Sequence, residues 1–310
     1  MRRQFRTVEG DPFNPREIRQ SAERIRALGF FSDAQVNAEQ GSAPDQVVVN
    51  VDVEEQPTGS LSFGATYSGD SGAGIAISFS ESNFLGRGQA LAVSLNNTKD
   101  TQDSSFSFTE PSLLGRDLSF TVSAFHKTSD NDASFYKTRN TGLSFGIGFP
   151  VGEQSSISIK YRLSNDRLYG VDAANSSPII VAEAAQGDEG ALLTSAIGYT
   201  YEFDNRITGL NPKGGMLLRF SQEFGGLGGD TKFVTTTALA MAETKVLNEE
   251  VTLRAIFEGG VLSTLGDDPS RVTNRFFARG KIRGFESNGI GPRDLGATNQ
   301  DALGGNAFAV

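Results

Sequence analysis

The chain has 310 residues, with 36 Gly, 23 Phe, no Cys, no Trp and a formal net charge of -9. The lack of cysteine removes disulfides, thiol catalysis and Cys-ligated zinc. The acidic balance argues against a nucleic-acid partner, and the lack of any apolar run of 18 residues excludes a transmembrane helix. A membrane β-strand stays open, because its signature is alternation alone, and a Gly-, Phe-, Ser- and Thr-rich chain favours strands and turns. No basic start leads into an apolar h-region, so no signal peptide is expected.

Residues 1 to 57 read as a small α/β unit. In "NPREIRQSAERIRALGFF", Asn14 is a helix N-cap, Pro15 takes the first helical position, and Ile18, Ala22, Ile25 and Leu28 recur at helical spacing until Gly29 stops the helix. The segments "SDAQVNAEQ" and "DQVVVNVDVEEQP" are extended and are joined by the turn-like "GSAPD". Pro57 and Gly59 mark a boundary.

From residue 58 onward the period is two. Ile75, Ile77 and Phe79 alternate with small polar residues, as do Leu91, Val93 and Leu95, then Phe106 and Phe108, and then Leu143, Phe145, Ile147 and Phe149. Later strands place charge on the second face, with Lys160 and Arg162, Arg219 and Glu223, and Arg254 and Glu258. About eleven such strands follow one another. A soluble sandwich and a membrane barrel both use this alternation. Strand length favours the barrel, since crossing a ~30 Å hydrocarbon layer takes about 9 to 11 residues. Connections favour it too: compact turns ("NFLGRG", "PSLLGRD", "PVGEQS", "VLNEE") alternate with long polar stretches ("NNTKDTQD", "KTSDNDASFYKTRN", "NDRLYGVDAANSSPIIVAEAAQGDEG"). The turns "NFLGRG" and "SLLGRD" repeat one pattern, as similar turns solving one geometric problem do. The small N-terminal unit then enters the first barrel strand from the short-turn, periplasmic side.

Enzymatic chemistry has no candidate organisation. His126 is the only histidine, no Gly-x-Ser-x-Gly elbow exists, and the glycine cluster "GGLGGD" lacks the Lys-Ser/Thr of a phosphate loop. No metal and no cofactor are expected. In "EFDNRITGLNPKGG", Asp204 and Arg206 are placed to tie a turn through a charge-assisted pair. The longest connection, about residues 265 to 304, carries three phenylalanines and four cations in "RFFARGKIRGF". A patternless loop of this length is functional or disordered, and its composition fits disorder poorly. Two placements suit it: an exposed surface loop, or one folded back into a water-filled lumen, with Arg283 on a wall carboxylate, Phe285 packed on the wall and Gly284 permitting close approach.

"KIRGFESNGIGPRD" followed by "DALGGNAFAV" resembles the sixth-loop Arg-Gly-Phe motif and following strand of the BamA family of outer-membrane β-barrel assembly factors. The likeness covers the whole chain. "RRQFRTVEGDPFN" through "VEEQPTGSLSFGATYS" resembles the later part of the last POTRA domain leading into the first barrel strand, and "NFLGRGQ", "EPSLLGRDLSF" and "FDNRITGLNPKGG" resemble that barrel's periplasmic turns.

The resemblance implies a mainly β fold: a transmembrane antiparallel β-barrel, incomplete against an expected sixteen strands, preceded by a partial α/β POTRA domain at 1–57 in the periplasm. It implies insertion of unfolded β-barrel clients into the bacterial outer membrane, contacts with membrane lipid and accessory lipoproteins, and no enzymatic activity. Arg283, Gly284 and Phe285 take the lumenal loop motif, the acidic partner of Arg283 lying beyond Val310. Gly59, Ser60, Leu61, Ser62, Phe63, Gly64, Ala65, Thr66 and Tyr67 take the strand of the lateral seam, and Arg2 and Glu9 fall where the family meets its lipoprotein partner BamD. Two-partner secretion and translocation-assembly transporters share the loop motif and are the alternative.

Overall fold

The computed structural model describes every residue except 1, 6, 69–71, 132–134, 207–213, 249, 279–280, 283 and 286–287. The chain divides into two compact units, residues 1–60 with 80–89, and residues 61–79 with 90–310.

In the first unit, helix α1 spans Pro15–Ala27. The Asn14 side chain accepts from the Arg16 N–H at 3.1 Å, and Pro15, which has no N–H to satisfy, begins the helix. Beyond Leu28 the chain turns away at Gly29, φ 70°. The face carrying Ile18, Ala22 and Ile25 is buried, and α1 packs on strand β1, Phe31–Gln40, where Ala34 is buried as well. Strand β2, Val47–Glu55, runs antiparallel to β1 with Val36 opposite Val51. Arg26 Nε donates to the Ala34 carbonyl at 2.9 Å, and Arg24 Nε to that of Gln4, tying the N-terminal segment to the helix. The core is small, so Ile25→Ala should destabilise this unit by about 2–4 kcal/mol, read as lost hydrogen-exchange protection of the β1 and β2 amides.

The remaining strands form one twelve-stranded antiparallel sheet in simple chain order. They are β3 (Gly59–Ser68), β4 (Gly72–Phe84), β5 (Gln89–Thr98), β6 (Thr101–Glu110), β7 (Ser119–Asn131), β8 (Tyr136–Gly152), β9 (Ser155–Tyr169), β10 (Ala191–Asp204), β11 (Gly214–Gly225), β12 (Phe233–Val246), β13 (Val251–Thr264) and the short β14 (Ala307–Ala309). Helix α2, Pro178–Ala184, lies between β9 and β10. No helix among the described residues is long and apolar enough to cross a membrane.

The register decides between sandwich and barrel. Leu143 pairs with Leu163, Phe145 with Tyr161 and Ile147 with Ile159, and the row continues through Ile197 and Tyr199 on β10 and Phe220 and Phe224 on β11. These side chains are open to the surroundings, with Leu143 46%, Ile147 41% and Phe220 39% exposed. On the opposite face Ser144, Ser164, Asp166 and Thr194 are buried. A soluble sandwich buries its apolar face. This sheet has the reverse arrangement, an apolar surface far larger than a water-soluble chain keeps open, and its polar face carries cross-strand ion pairs: Arg219 with Glu202 at 2.6 Å, Arg254 with Glu243 at 3.0 Å and Arg162 with Glu223 at 2.5 Å.

Two of the expected long polar loops are paired strand instead. "NNTKDTQD" lies almost wholly in β5 and β6, which are separated only by Lys99 and Asp100, and "KTSDNDASFYKTRN" is divided largely between β7 and β8. Beyond the apolar layer both faces of a strand are polar, so the alternation disappears while the hydrogen-bond ladder continues. The turns after β4 and β6 share a geometry, with Leu85 and Leu114 at φ 56° and 55° and each followed by a left-handed glycine.

Candidate functional site

The two longest connections, 170–190 and 265–306, leave the same end of the sheet and are built into each other. Ser177 caps α2, its hydroxyl accepting from the Ile179 N–H. The same hydroxyl donates to Asp294 Oδ2 at 2.6 Å, and the Ser177 N–H donates to Asp301. In the last turn of α2, Glu183 is buried and holds the other loop with both carboxylate oxygens: Oε2 accepts from the Val272 N–H at 2.7 Å and Oε1 pairs with Arg275 Nη2 at 2.7 Å. Arg275 also donates to the Leu303 carbonyl at 3.1 Å. Beside this pair Arg271 is buried and donates to the carbonyls of Glu183, Gly190 and Asp166. Gly190 has φ 80°, and a Cβ there would stand 2.1 Å from the Leu168 carbonyl oxygen, so this packing admits only glycine.

Apolar contacts finish the junction. Val272 joins Tyr136, Leu168 and Ile180, with Phe277 and Leu303 packed around them, and Phe276 packs on Ala196, Phe233 and Leu262. Tyr136 donates its hydroxyl to the Ala302 carbonyl at 2.8 Å. Phe276 and Gly305 form a two-way backbone bridge, and the Phe276 ring lies 4.8 Å from that of Phe308 on β14. Lys281 pairs with Glu258 of β13 at 2.5 Å and sits over the Phe308 ring. Tyr136, Leu168, Ala196, Phe233, Leu262 and Glu258 all belong to the polar face of the sheet, so the 265–306 loop packs there and away from the apolar surface.

The electrostatics follow burial. Desolvation pushes the Glu183 carboxyl above the usual glutamate range, against the pull of the Val272 N–H and the two arginines, and it lowers Arg271. Asp294 is held below the usual range by the Ser177 hydroxyl and the Gly296 N–H, whereas burial raises Asp301.

The residues expected from sequence fall differently. Arg283 lies outside the described residues. Gly284 has φ 88°, a backbone that favours glycine, and a Cβ there would meet nothing within 4 Å, so conformation rather than close approach accounts for it. Phe285 is 62% exposed, and the loop phenylalanines that pack are Phe276 and Phe277. Residues 59–67 lie in β3, the last strand of the sheet, whose one neighbour among the described residues is β4, and all of them are exposed. Arg2 and Glu9 form an ion pair with each other, both 78% exposed, at the rim of a groove of about 750 Å³ lined by Phe5, Phe13, Val47 and Val49. Asp204 and Arg206 make the expected bidentate pair, at 2.7 and 2.9 Å.

An alternating sheet with its apolar face outward, a polar inner face and a long loop packed on that face define an outer-membrane β-barrel segment. The Omp85 superfamily domain matches residues 83–310, and the POTRA model, described as a surface antigen variable number repeat, matches residues 1–56. The chain belongs to the Omp85 superfamily. It is similar to outer membrane protein assembly factor BamA of Neorickettsia risticii, 28% identical over all of this chain and 41% of the relative, and to BamA of Nitratidesulfovibrio vulgaris, 29% identical over 99% and 38%. It thus spans about two fifths of the length of these relatives. The crystal structure of BamA from Haemophilus ducreyi lacking POTRA domains 1-3 superposes with a TM-score of 0.81 at 22% identity, covering 99% of this chain and 62% of that one.

Glu183→Ala leaves Arg275 buried without its carboxylate and should destabilise the loop junction by about 3 kcal/mol, measured as protease cleavage within 270–305. The folded-state pKa of Asp294 lies below its unfolded value, so its contribution is complete above about pH 4 and is lost as pH falls through the lowered value. Protection factors of the 294–303 amides should therefore fall on acidification below about pH 4, and Asp294→Asn should remove that acid-dependent part.

Proposed function

We propose that the protein containing this chain inserts and folds other β-barrel proteins in the outer membrane, with the edge of β3 as the receiving strand. The observation that carries this reading is that β3 is one end strand of the sheet, exposed throughout Gly59–Tyr67 and paired only with β4 among the described residues, the β13–β14 end being the other. A strand edge in hydrocarbon has to be paired. In a closed barrel β3 therefore meets another strand at a seam, and Gly59 and Gly64 make that pairing weak. A client strand replaces it by β-augmentation, gaining backbone bonds and then its own apolar burial. No nucleotide is needed, because the client supplies the free energy and the protein lowers the barrier.

The names of the similar relatives, assembly factors of the outer membrane, support this reading. Under it, residues 1–57 lie in the periplasm as the end of a POTRA domain and 58–310 form the barrel portion. The exposed Arg2–Glu9 pair faces a lipoprotein of the BamD kind, and Arg283–Gly284–Phe285 docks on an acidic wall residue beyond this chain. A two-partner secretion transporter shares the fold, and it is separated from an assembly factor by conductance and by a single dedicated substrate.

Photocrosslinkers at Ser60, Ser62 and Thr66 in the full-length protein should capture the terminal strand of a nascent barrel; uniform absence of adducts rejects the seam. Arg283→Ala should slow client assembly more than Arg116→Ala in the opposite-end turn, and equal effects would remove the motif from the mechanism.

A further inference from the structure

A second feature lies on the apolar side of the sheet. In the β8–β9 register, Leu143 faces Leu163, Thr141 faces Asn165, Arg139 faces Arg167 and Lys137 faces Tyr169. These residues share the phase of the apolar row, so Arg139, Arg167 and Tyr169 continue that row toward the end carrying the long connections. Four residues separate Arg139 from Leu143, about 13 Å along a strand. At the usual tilt this is about 9 Å of height beyond Leu143, similar to the ~5–8 Å depth of one headgroup layer.

Arg139 is the unbalanced member of the cluster, since Asp130 and Asp100 lie near Lys137 and Glu189 pairs with Arg167. Like charges directly opposite on neighbouring strands repel, yet the guanidiniums of Arg139 and Arg167 lie 5.2 and 5.4 Å from the centroid of the single Tyr169 ring. Lys137 has Asp130 at 2.5 Å, and Arg167 has the exposed Glu189. Arg139 has no carboxylate partner among the described residues, and its Nε–H is buried without an acceptor. The aromatic face offsets part of the repulsion, but it accepts none of the forked N–H bonds that two guanidiniums present.

We propose that Arg139 and Arg167, steadied by Tyr169, bind the phosphate of a phosphorylated lipid headgroup in the leaflet at the long-connection end. A phosphate monoester supplies negative charge and acceptors for the Arg139 fork and for the Arg167 N–H groups left over by Glu189, which already accepts from Arg167 Nε and Nη2, while its acyl chains lie along Leu143, Leu163 and Phe145. The chemistry is shared with free phosphate, and the height of the cluster above the apolar row selects the lipid.

The test uses the full chain folded in mixed micelles containing either phosphatidic acid or diacylglycerol, with bound lipid counted by native mass spectrometry. Phosphatidic acid should be retained and diacylglycerol should not. Arg139→Gln/Arg167→Gln should lower retention by about tenfold or more, while Arg254→Gln, a cation on the opposite face, should leave it unchanged. Equal retention by the double variant and the parent, or equal retention of diacylglycerol, overturns the site. Displacement of phosphatidic acid by equimolar inorganic phosphate would reduce it to a simple anion site and overturn the lipid assignment. If the double variant fails the heat-dependent gel shift of a folded barrel, the parent protein in rising salt carries the test: retention must fall with salt, and salt-insensitive retention overturns the proposal.

Discussion

In hydrocarbon no water is present to satisfy a peptide group, so every N–H and C=O must find its partner within the protein. This requirement organises the sheet. It explains why successive strands are neighbours in simple order and why, the three-residue β14 apart, they run from 10 to 17 residues. It also makes the terminal strand the reactive one. Among the described residues the sheet has unmet bonding at both ends, along β3 and along the part of β13 that the short β14 does not cover, and the assembly chemistry proposed above is a use of that bonding at β3.

The same requirement inverts the usual core. Apolar side chains face outward, and the interior is assembled from hydroxyls, carboxylates and guanidiniums that have to be paired with one another. Asp166 shows the pattern: it is buried, and its carboxylate accepts from Asn140 Nδ2 and the Thr194 hydroxyl, both at 2.6 Å. Glu183 does the same for the loop, with one oxygen on a backbone N–H and the other on Arg275. Such groups stabilise little against an apolar alternative, but removal of one member leaves its partner stranded. A polar interior therefore specifies where a loop sits more strongly than it strengthens the fold.

The fold was legible because lipid imposes period two and because strand pairing follows chain order, so runs such as Leu143–Phe145–Ile147 announce both strand and face. Helix α1 was legible from Asn14, Pro15 and the spacing of its apolar residues. The outer parts of two hairpins read as loops, since a paired strand in water carries no apolar alternation. Helix α2 is masked by the polar stretch around it, although Ser177–Pro178 is a start signal of the same kind as Asn14–Pro15. The loop junction was least legible. Glu183 and Arg275 are 92 residues apart, and neither local pattern nor composition marks them as partners. The motif that stands out in the sequence, around Gly284 and Phe285, is exposed in this chain, whereas Phe276 and Phe277 are the loop phenylalanines that pack.

The reach of the loop's anchors carries a kinetic consequence. The Tyr136–Ala302 bond closes across 166 residues and the Arg275–Glu183 pair across 92, and neither can form before β8, β9 and α2 are already in place. Nearest-neighbour hairpins zip with little closure entropy, whereas these contacts must wait for the whole wall they seal. The junction built on Arg275 and Ala302 thus settles after the elements it joins, and until then Phe276 and Phe277 lack the wall they pack against.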